Sequence, residues 1–269
     1  MDRQTFDRFR QLVYAKSGIA LGPGKEALVS TRIKRRLRAL GIDSYETYLR
    51  RVTHDQTGEE IAQLVDAIST NVTSFFRERA HFEFLAKATT RWLGAGQRRF
   101  RVWSAACSTG EEPYSIAITM LEAAKVAKVD IDMKILATDI STRVLETCRQ
   151  GTYQRERLDG VSPILRTCYF TPDRPQNPAR YTVKDALSGM IVFRRLNLSA
   201  PPFPMHGPLD VIFCRNVMIY FDQEVRARLL QELRRLLRPG GYLMVGHAES
   251  LSGMIGDFKA VRPSTYIKP

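Results

Sequence analysis

The chain has 269 residues, 44% of them hydrophobic, and 41 Lys and Arg against 28 Asp and Glu, a formal charge of +13. That length can bury a sizeable core, or two. No apolar run approaches the roughly 20 residues that span a bilayer. The opening MDRQTFDRFRQLV mixes acids with bases and does not read as a signal peptide. The reading is therefore a globular chain without membrane insertion. Cys107, Cys148, Cys168 and Cys214 are far apart and lack paired metal-ligand spacing. A reducing cytoplasm suits them. The positive excess calls for nucleic acid, an acidic protein surface or mere solubility as its explanation.

Residues 1 to about 70 predict a small helical domain. Phe6, Phe9, Leu12 and Val13 recur at helical spacing, as do Tyr45, Tyr48, Leu49 and Val52, then Ile61, Leu64, Val65 and Ile68. SGIALGPGK and RALGIDS supply turns between them. The segment ALVSTRIKRRLRALGI, residues 27–42, carries Arg32, Lys34, Arg35, Arg36 and Arg38 without an acid. Leu28, Ile33, Leu37 and Leu40 fall on one side of this helix, leaving the bases largely outward. An acidic protein partner and a merely solvated face both fit. Nucleic acid fits less well, because no zinc-finger spacing or aromatic ladder accompanies the charge.

From Phe100 the rhythm becomes short strand, loop, helix. FRVWSA, MKILATD, IVFRRLN, DVIFCRN and GYLMVGHA read as strands. EEPYSIAITMLEAAKV, STRVLETCR and QEVRARLLQELRRLL read as helices, the last stopping at Pro239-Gly240-Gly241. Such alternation predicts a mostly parallel sheet covered by helices. Residues 151 to about 190 break the rhythm. They are polar and proline-rich, and ARYTVKD alternates like an edge strand, so a small antiparallel excursion is expected there.

The stretch RVWSAACSTGEEPYSIAI, residues 101–118, locates a ligand. In open α/β sheets ligands sit beyond the carboxyl ends of strands. Ser108-Thr109-Gly110 lets a ligand pass close to the backbone. A phosphate loop would add a Lys followed by Ser or Thr, whereas this turn delivers Glu111 and Glu112, which repel phosphate. Asp139 ends the second strand 28 residues after Glu111 and can accept both hydroxyls of a ribose; capping the next helix is its alternative role, although Ser141 can serve as that cap. A ribose, an adenine, a positive charge and no phosphate describe S-adenosylmethionine.

STNVTSFFRE at 69–78, the 101–118 stretch, LATDIS, FRRLNL and DVIFCRNVMIYFD followed by LLRPGGYLMVGHAES together resemble the CheR family of bacterial chemotaxis methyltransferases, over nearly the whole chain. The resemblance implies a Rossmann-like S-adenosylmethionine-dependent α/β methyltransferase domain with a small antiparallel β-subdomain, preceded by an all-helical domain. On that pattern 1–70 is helical and docks the receptor, 71–99 is a linker and a helix over the cofactor site, and 100–269 is catalytic, with the β-subdomain within 151–190. It further implies methylation of glutamate side chains in the cytoplasmic helices of chemoreceptors, giving methyl esters and S-adenosylhomocysteine. The protein is then expected to be a cytoplasmic monomer recruited to receptor arrays, using no metal and no nucleic acid.

Residue roles carried over by motif put Asn71, Thr73 and Arg77 on the cofactor. Glu111 is expected at the methionyl amino group, Asp139 on the ribose, and Asn197 and Leu198 at the adenine. Arg215 and Asn216 line the pocket, and Arg77 and Tyr220 stand near the reacting centre. Arg32, Arg35, Arg36 and Arg38 are expected to dock the receptor. A glutamate with a reference pKa of about 4.3 is already an anionic nucleophile at neutral pH, so no strong base is required. His247 fits a hydrogen-bonded structural role better than a catalytic one. CRNVMIYF lacks the Asn/Asp-Pro-Pro-aromatic arrangement with which many nucleic-acid methyltransferases stack a flipped base, and a noncatalytic scaffold would not need both candidate acids.

Overall fold

In a computed structural model the described residues are 1–22, 24–69, 71–249, 251 and 258–269. Pro23, Thr70 and Ser250, which belong to turns and motifs quoted above, lie outside them. The amino-terminal part comprises α1 (Arg3–Ser17), α2 (Glu26–Leu40), α3 (Tyr45–His54) and α4 (Glu59–Ile68). Asp2 and Ser44 cap α1 and α3 by accepting from the backbone N–H of Thr5 and Thr47. Gly18 and Gly41 end α1 and α2 in the left-handed conformation. Phe6, Phe9, Val13, Val29, Ile33, Leu37, Tyr48, Leu49, Val52, Leu64 and Ile68 form one core.

The basic helix is less outward than its pattern suggests. Val29 is buried, whereas Leu28 is 45% exposed and turns away from the core. Arg36 forms a bidentate ion pair with the buried Glu60, at 2.8 and 2.9 Å, and Tyr48 donates to the same carboxylate at 2.9 Å. Arg32 donates to the carbonyls of Ile68 and Ser69. Both guanidiniums lie toward α4 because it offers acceptors at both ends, Glu60 in its first turn for Arg36 and the closing carbonyls for Arg32. Arg35 and Arg38 remain exposed.

After α5 (Ala80–Gly94) come β1 (Arg99–Ser104), α6 (Glu111–Ala127), β2 (Asp132–Asp139) and α7 (Thr142–Gln150). Next are β3 (Thr152–Gln154), a 3-10 turn at Arg155–Leu158, α8 (Pro163–Tyr169), β4 (Phe170–Pro172), β5 (Arg180–Val183) and α9 (Asp185–Ser188). The chain closes with β6 (Ile191–Arg195), β7 (Leu209–Cys214), a 3-10 turn at Met218–Tyr220, α10 (Gln223–Leu236), β8 (Leu237–Val245), β9 (Lys259–Arg262) and β10 (Thr265–Ile267). The main sheet has the order β6-β2-β1-β7-β8-β10-β9. Its first five strands are parallel, and β10 runs antiparallel to β8 and β9.

Both faces of the sheet are covered, so the inner stretches of its central strands, Val102-Trp103 and Val211 to Cys214, are apolar and buried. Phe100, Val102, Val211 and Phe213 face α5 and α6, while Trp103, Ile212 and Cys214 face α10. Ser141 caps α7, as its position suggests. Two local expectations are corrected. Helix α10 ends at Leu236, and Pro239-Gly240-Gly241 runs within β8, where the pairing with β7 shifts register between Leu209 and Val211. Arg180–Val183 is the centre of the three-stranded antiparallel sheet, order β3-β5-β4, and not an edge. Its alternation reflects one face packed on the core of the larger sheet, through Val183, and one face open.

The Arg36–Glu60–Tyr48 cluster predicts a stability effect. Glu60→Ala leaves a half-buried guanidinium and a buried hydroxyl unpartnered, so urea denaturation should show a loss of about 3 kcal/mol. A loss below about 0.5 kcal/mol, the size typical of a surface change, would show that the cluster carries no structural weight.

Candidate active site

The parallel strands end together, since Ser104 lies beside Ala137 and Asp139 beside Arg195. A cleft opens at these carboxyl ends. Ala105, Ala106 and Ser108 form its floor, Asn71 to Ser74 and Arg77 one wall, and Leu196 to Leu198 another. Val217, Tyr220 and Phe221 approach from the segment after β7. The helical region supplies a further wall from Ser17, Ile19, Ala20, Leu21, Lys25 and Leu28. Composition alone does not reveal this wall, because SGIALGPGK reads as a connecting turn. Its seating is specific: Ala20 N–H donates to the Tyr220 carbonyl at 2.8 Å, and a Cβ on Gly18 would stand 2.2 Å from Ser199 Cβ.

Asp139 is buried at the cleft floor. Its carboxylate accepts the backbone N–H groups of Ser108 at 2.9 Å and Ser141 at 3.0 Å, so it braces the turn and also borders the cleft. Burial pushes its carboxyl up from the ordinary value, against the two backbone donors. The turn itself depends on Gly110, whose φ of 99° no larger residue adopts easily, and whose Cβ position lies 2.7 Å from Tyr153 Oη.

The two adjacent glutamates separate. Glu112 borders the cleft, accepting from Ser104 Oγ at 2.7 Å and from Arg215 Nη1 at 3.1 Å. Burial raises its pKa despite Arg215. Glu111 does not reach the cleft, which corrects the expectation for it. Its side chain lies completely buried on the far side of the turn, paired with Arg157 Nη2 at 2.8 Å and accepting from Thr109 Oγ1 at 2.6 Å. The reason is helical geometry: consecutive residues on α6 point about 100° apart, so only one of the pair can face the ligand.

The other expected residues, Asn71, Thr73, Arg77, Asn197, Leu198, Arg215, Asn216 and Tyr220, all border the cleft. Several are already engaged. The Asn197 amide donates to the Lys16 carbonyl at 3.0 Å and accepts from Ser199. Arg215 is buried between Glu78 at 3.0 Å and Glu112 at 3.1 Å, donates to the Arg77 carbonyl, and lies over the rings of Phe82 and Phe213. Burial opposes ionisation of Glu78, but Arg215 and Asn216 outweigh it and hold that carboxyl below its usual range. Arg77 donates to the Val72 carbonyl at 2.6 Å. Helix α5, expected over the cofactor, lies instead against α6 and the sheet and contributes no residue to the cleft wall.

His247 is more exposed than a buried structural histidine, its Nε2 3.9 Å from Glu78. His81 is the buried one, 3.4 Å from Glu78, and burial with Arg215 nearby lowers its pKa to about 4. Sequence reasoning passed over both His81 and Glu78, although Glu78 lies inside the FFRE motif.

The cleft suits S-adenosylmethionine. Its floor carries small side chains, the buried carboxylates Asp139 and Glu112 border it, and Leu198 adds an apolar surface. Fold and site together define a Rossmann-like S-adenosylmethionine-dependent methyltransferase. Residues 71–267 match the family description "CheR methyltransferase, SAM binding domain", and residues 4–69 match "CheR methyltransferase, all-alpha domain". The chain belongs to the CheR methyltransferase family. It is 43% identical to chemotaxis protein methyltransferase 2 of Pseudomonas aeruginosa over 249 residues, 92% of this chain and 87% of that one. Identity to the chemotaxis protein methyltransferase of Salmonella typhimurium is 40% over 261 residues, 97% and 88% of the two chains. The Borreliella burgdorferi protein of the same name is 35% identical over 271 residues, covering 99% and 94%.

Two measurements test the site. Asp139→Ala should raise the cofactor dissociation constant at least about tenfold; unchanged affinity by calorimetry in a folded variant would remove Asp139 from the binding set. His81 adds a pH dependence. Below its unfolded pKa of about 6.5 the unfolded chain binds a proton that the folded chain refuses until about pH 4, so stability falls as pH drops through that window. His81→Gln should flatten that part of the stability profile, and identical slopes for parent and variant would contradict the assignment.

Proposed function

We propose that this protein transfers a methyl group from S-adenosylmethionine to glutamate side-chain carboxylates in the cytoplasmic helices of bacterial chemoreceptors, in the service of chemotactic adaptation. The observation that carries the reading is the path of α2. Lys25, at its amino end, and Leu28 border the cleft, while Arg35 and Arg38 project to solvent farther along the same helix. Lys25 and Arg35 are ten residues apart, about 15 Å along a helix axis. An acidic receptor helix lying along α2 would thus present a glutamate at the cleft mouth.

Asp139 takes the ribose hydroxyls in this reading, and Glu112 replaces Glu111 as the acid facing the amino group. Asn71, Thr73 and Asn216 offer polar contacts, and Leu198 an apolar surface for the base. S-adenosylmethionine, when bound, supplies an electrophilic methyl group on a sulfonium. The residues align an attacking carboxylate with it, which is catalysis by orientation. Arg77 directs the carboxylate with the donors left after its bond to Val72, and Tyr220 shapes the opposite side. Transfer neutralises opposite charges, so a site that bound the ion pair too strongly would slow it. Arg215 is suited to this, because Glu78 and Glu112 already balance its charge.

Incubation with methyl-labelled S-adenosylmethionine and bacterial membranes should yield base-labile label on glutamate residues of receptors. Label on nucleic acid, or a base-stable protein product, would refute the substrate assignment.

Two sets of variants examine the roles. Arg35→Ala with Arg38→Ala should weaken receptor methylation while leaving cofactor affinity intact, and added salt should mimic the loss. Equal activity of parent and double variant at low salt would make that face a solvated one. In single-turnover assays with cofactor and receptor saturating, Arg77→Ala and Tyr220→Phe should each slow transfer beyond any change in cofactor occupancy. Parent-like rates would reduce both side chains to binding or packing.

A further inference from the structure

The cofactor turn and the linker wall are held from behind by the small β-sheet region, and one side chain of that region makes polar contacts to both. Arg157 stands in the 3-10 turn that follows β3. Its Nη2 lies 2.8 Å from Glu111 Oε1 and donates to Thr109 Oγ1 at 3.2 Å, and its Nη1 donates to the Thr73 carbonyl at 3.4 Å. Thr109 and Glu111 flank Gly110 in the turn, and Thr73 lies in the linker wall of the cleft. One guanidinium therefore touches the linker, the turn and the first residue of α6.

Apolar packing makes the same attachment. Phe75, also in the linker, is 3% exposed and sits edge-on to Tyr153 of β3 at 5.1 Å and Phe170 of β4 at 5.5 Å. Gly160, just past the 3-10 turn, allows this approach, since a Cβ there would stand 2.6 Å from the Phe75 carbonyl oxygen. Tyr153 Oη donates to the Thr109 carbonyl at 2.7 Å. On the cleft side, among the described residues, the turn and the linker share one direct bond, from Ser108 Oγ to the Asn71 carbonyl at 3.2 Å.

We propose that Arg157 is a positioning residue for the cofactor site, setting the separation between the linker wall (Asn71, Thr73) and the Ser108–Gly110 turn from outside the cleft. Arg157 does not border the cleft, so it acts through Thr73, Thr109 and Glu111. The arrangement needs Arg and not Lys. Two accepting oxygens in different directions, Thr109 Oγ1 and the Thr73 carbonyl, with the Glu111 carboxylate paired beside them, match a planar fork, whereas an ammonium on a flexible stem satisfies them less completely. The same contact accounts for Glu111, because a fully buried carboxylate needs a charged partner and Arg157 is that partner. The small sheet is thereby part of the cofactor-binding apparatus.

The test uses the full chain and S-adenosylhomocysteine as the calorimetric probe, so it does not depend on which substrate is methylated. Arg157→Ala should raise the dissociation constant about tenfold, and Arg157→Lys should recover part of the loss. Arg155→Ala is the control, because Arg155 lies in the same 3-10 turn and its side chain donates to Asn177 away from the cleft; it should bind like the parent. Hydrogen exchange of residues 71–77 in the ligand-free protein provides a second readout, which should quicken in Arg157→Ala and be restored in part by Arg157→Lys. Parent-like affinity with parent-like exchange in Arg157→Ala would overturn the proposal. So would a loss shared equally by Arg155→Ala, or exchange that quickens evenly over the whole chain, since either marks general destabilisation. If Arg157→Ala does not fold, Arg157→Lys alone decides: weakened affinity with faster exchange confined to the linker supports positioning, and parent-like values refute it.

Discussion

The buried guanidinium of Arg215 is the interaction on which the site depends. A lone cation at that depth would cost several kcal/mol; here Glu78 reaches it from the linker and Glu112 from α6. Phe82 of α5 and Phe213 of β7 present their ring faces to the same group. Elements distant in sequence must therefore converge for the charge to be tolerated. The network is also why Glu112 faces the strand ends. Once one of the two adjacent acids is drawn to Arg215, the other is carried round α6 toward the small sheet, where it meets a second arginine.

Charge in this protein has two separate uses. Carboxylates that are buried or nearly so are matched with arginines: Glu78 and Glu112 with Arg215, Glu111 with Arg157, Glu60 with Arg36 and Asp210 with Arg238. These pairs join segments that apolar packing alone would leave loosely registered. The surplus is displayed outside, notably on α2. A count of basic residues along that helix mixes the two kinds, since Arg32 and Arg36 are bonded to α4 or its carboxyl end whereas Arg35 and Arg38 are exposed.

Much of the architecture was legible because its signals are local. Strand-end Asp139, the small-residue turn, the Ser141 cap and the helical spacing of Phe6, Phe9 and Val13 each announce themselves within a few residues. What stayed hidden depends on contacts between distant segments. Which glutamate of the 111–112 pair faces the ligand is decided by Arg157 and Arg215, some 45 and 103 residues farther along the chain. The strand containing Pro239-Gly240-Gly241 looked like a stop signal because proline and glycine seldom occupy strands; pairing with β7 and β10 accommodates them through a shift of register. The cleft wall formed by residues 17–21 left no trace in composition, since a turn that seals a cavity and one that merely connects helices use the same residue types.

That wall bears on how this protein can be rearranged. The two family matches meet between residues 69 and 71, which invites treating the helical and catalytic parts as exchangeable modules. The cavity does not respect the seam. Ile19, Ala20 and Leu21 close it from one side and Tyr220 and Phe221 from the other, with the Ala20–Tyr220 backbone bond and the fit of Gly18 against Ser199 crossing the join. A chimera spliced at residue 70 inherits a cavity whose halves were shaped in different proteins. A graft that leaves the cavity intact has to keep the first helix and its following loop, and with them Ile68 and Ser69, which border the cleft from the end of the helical part.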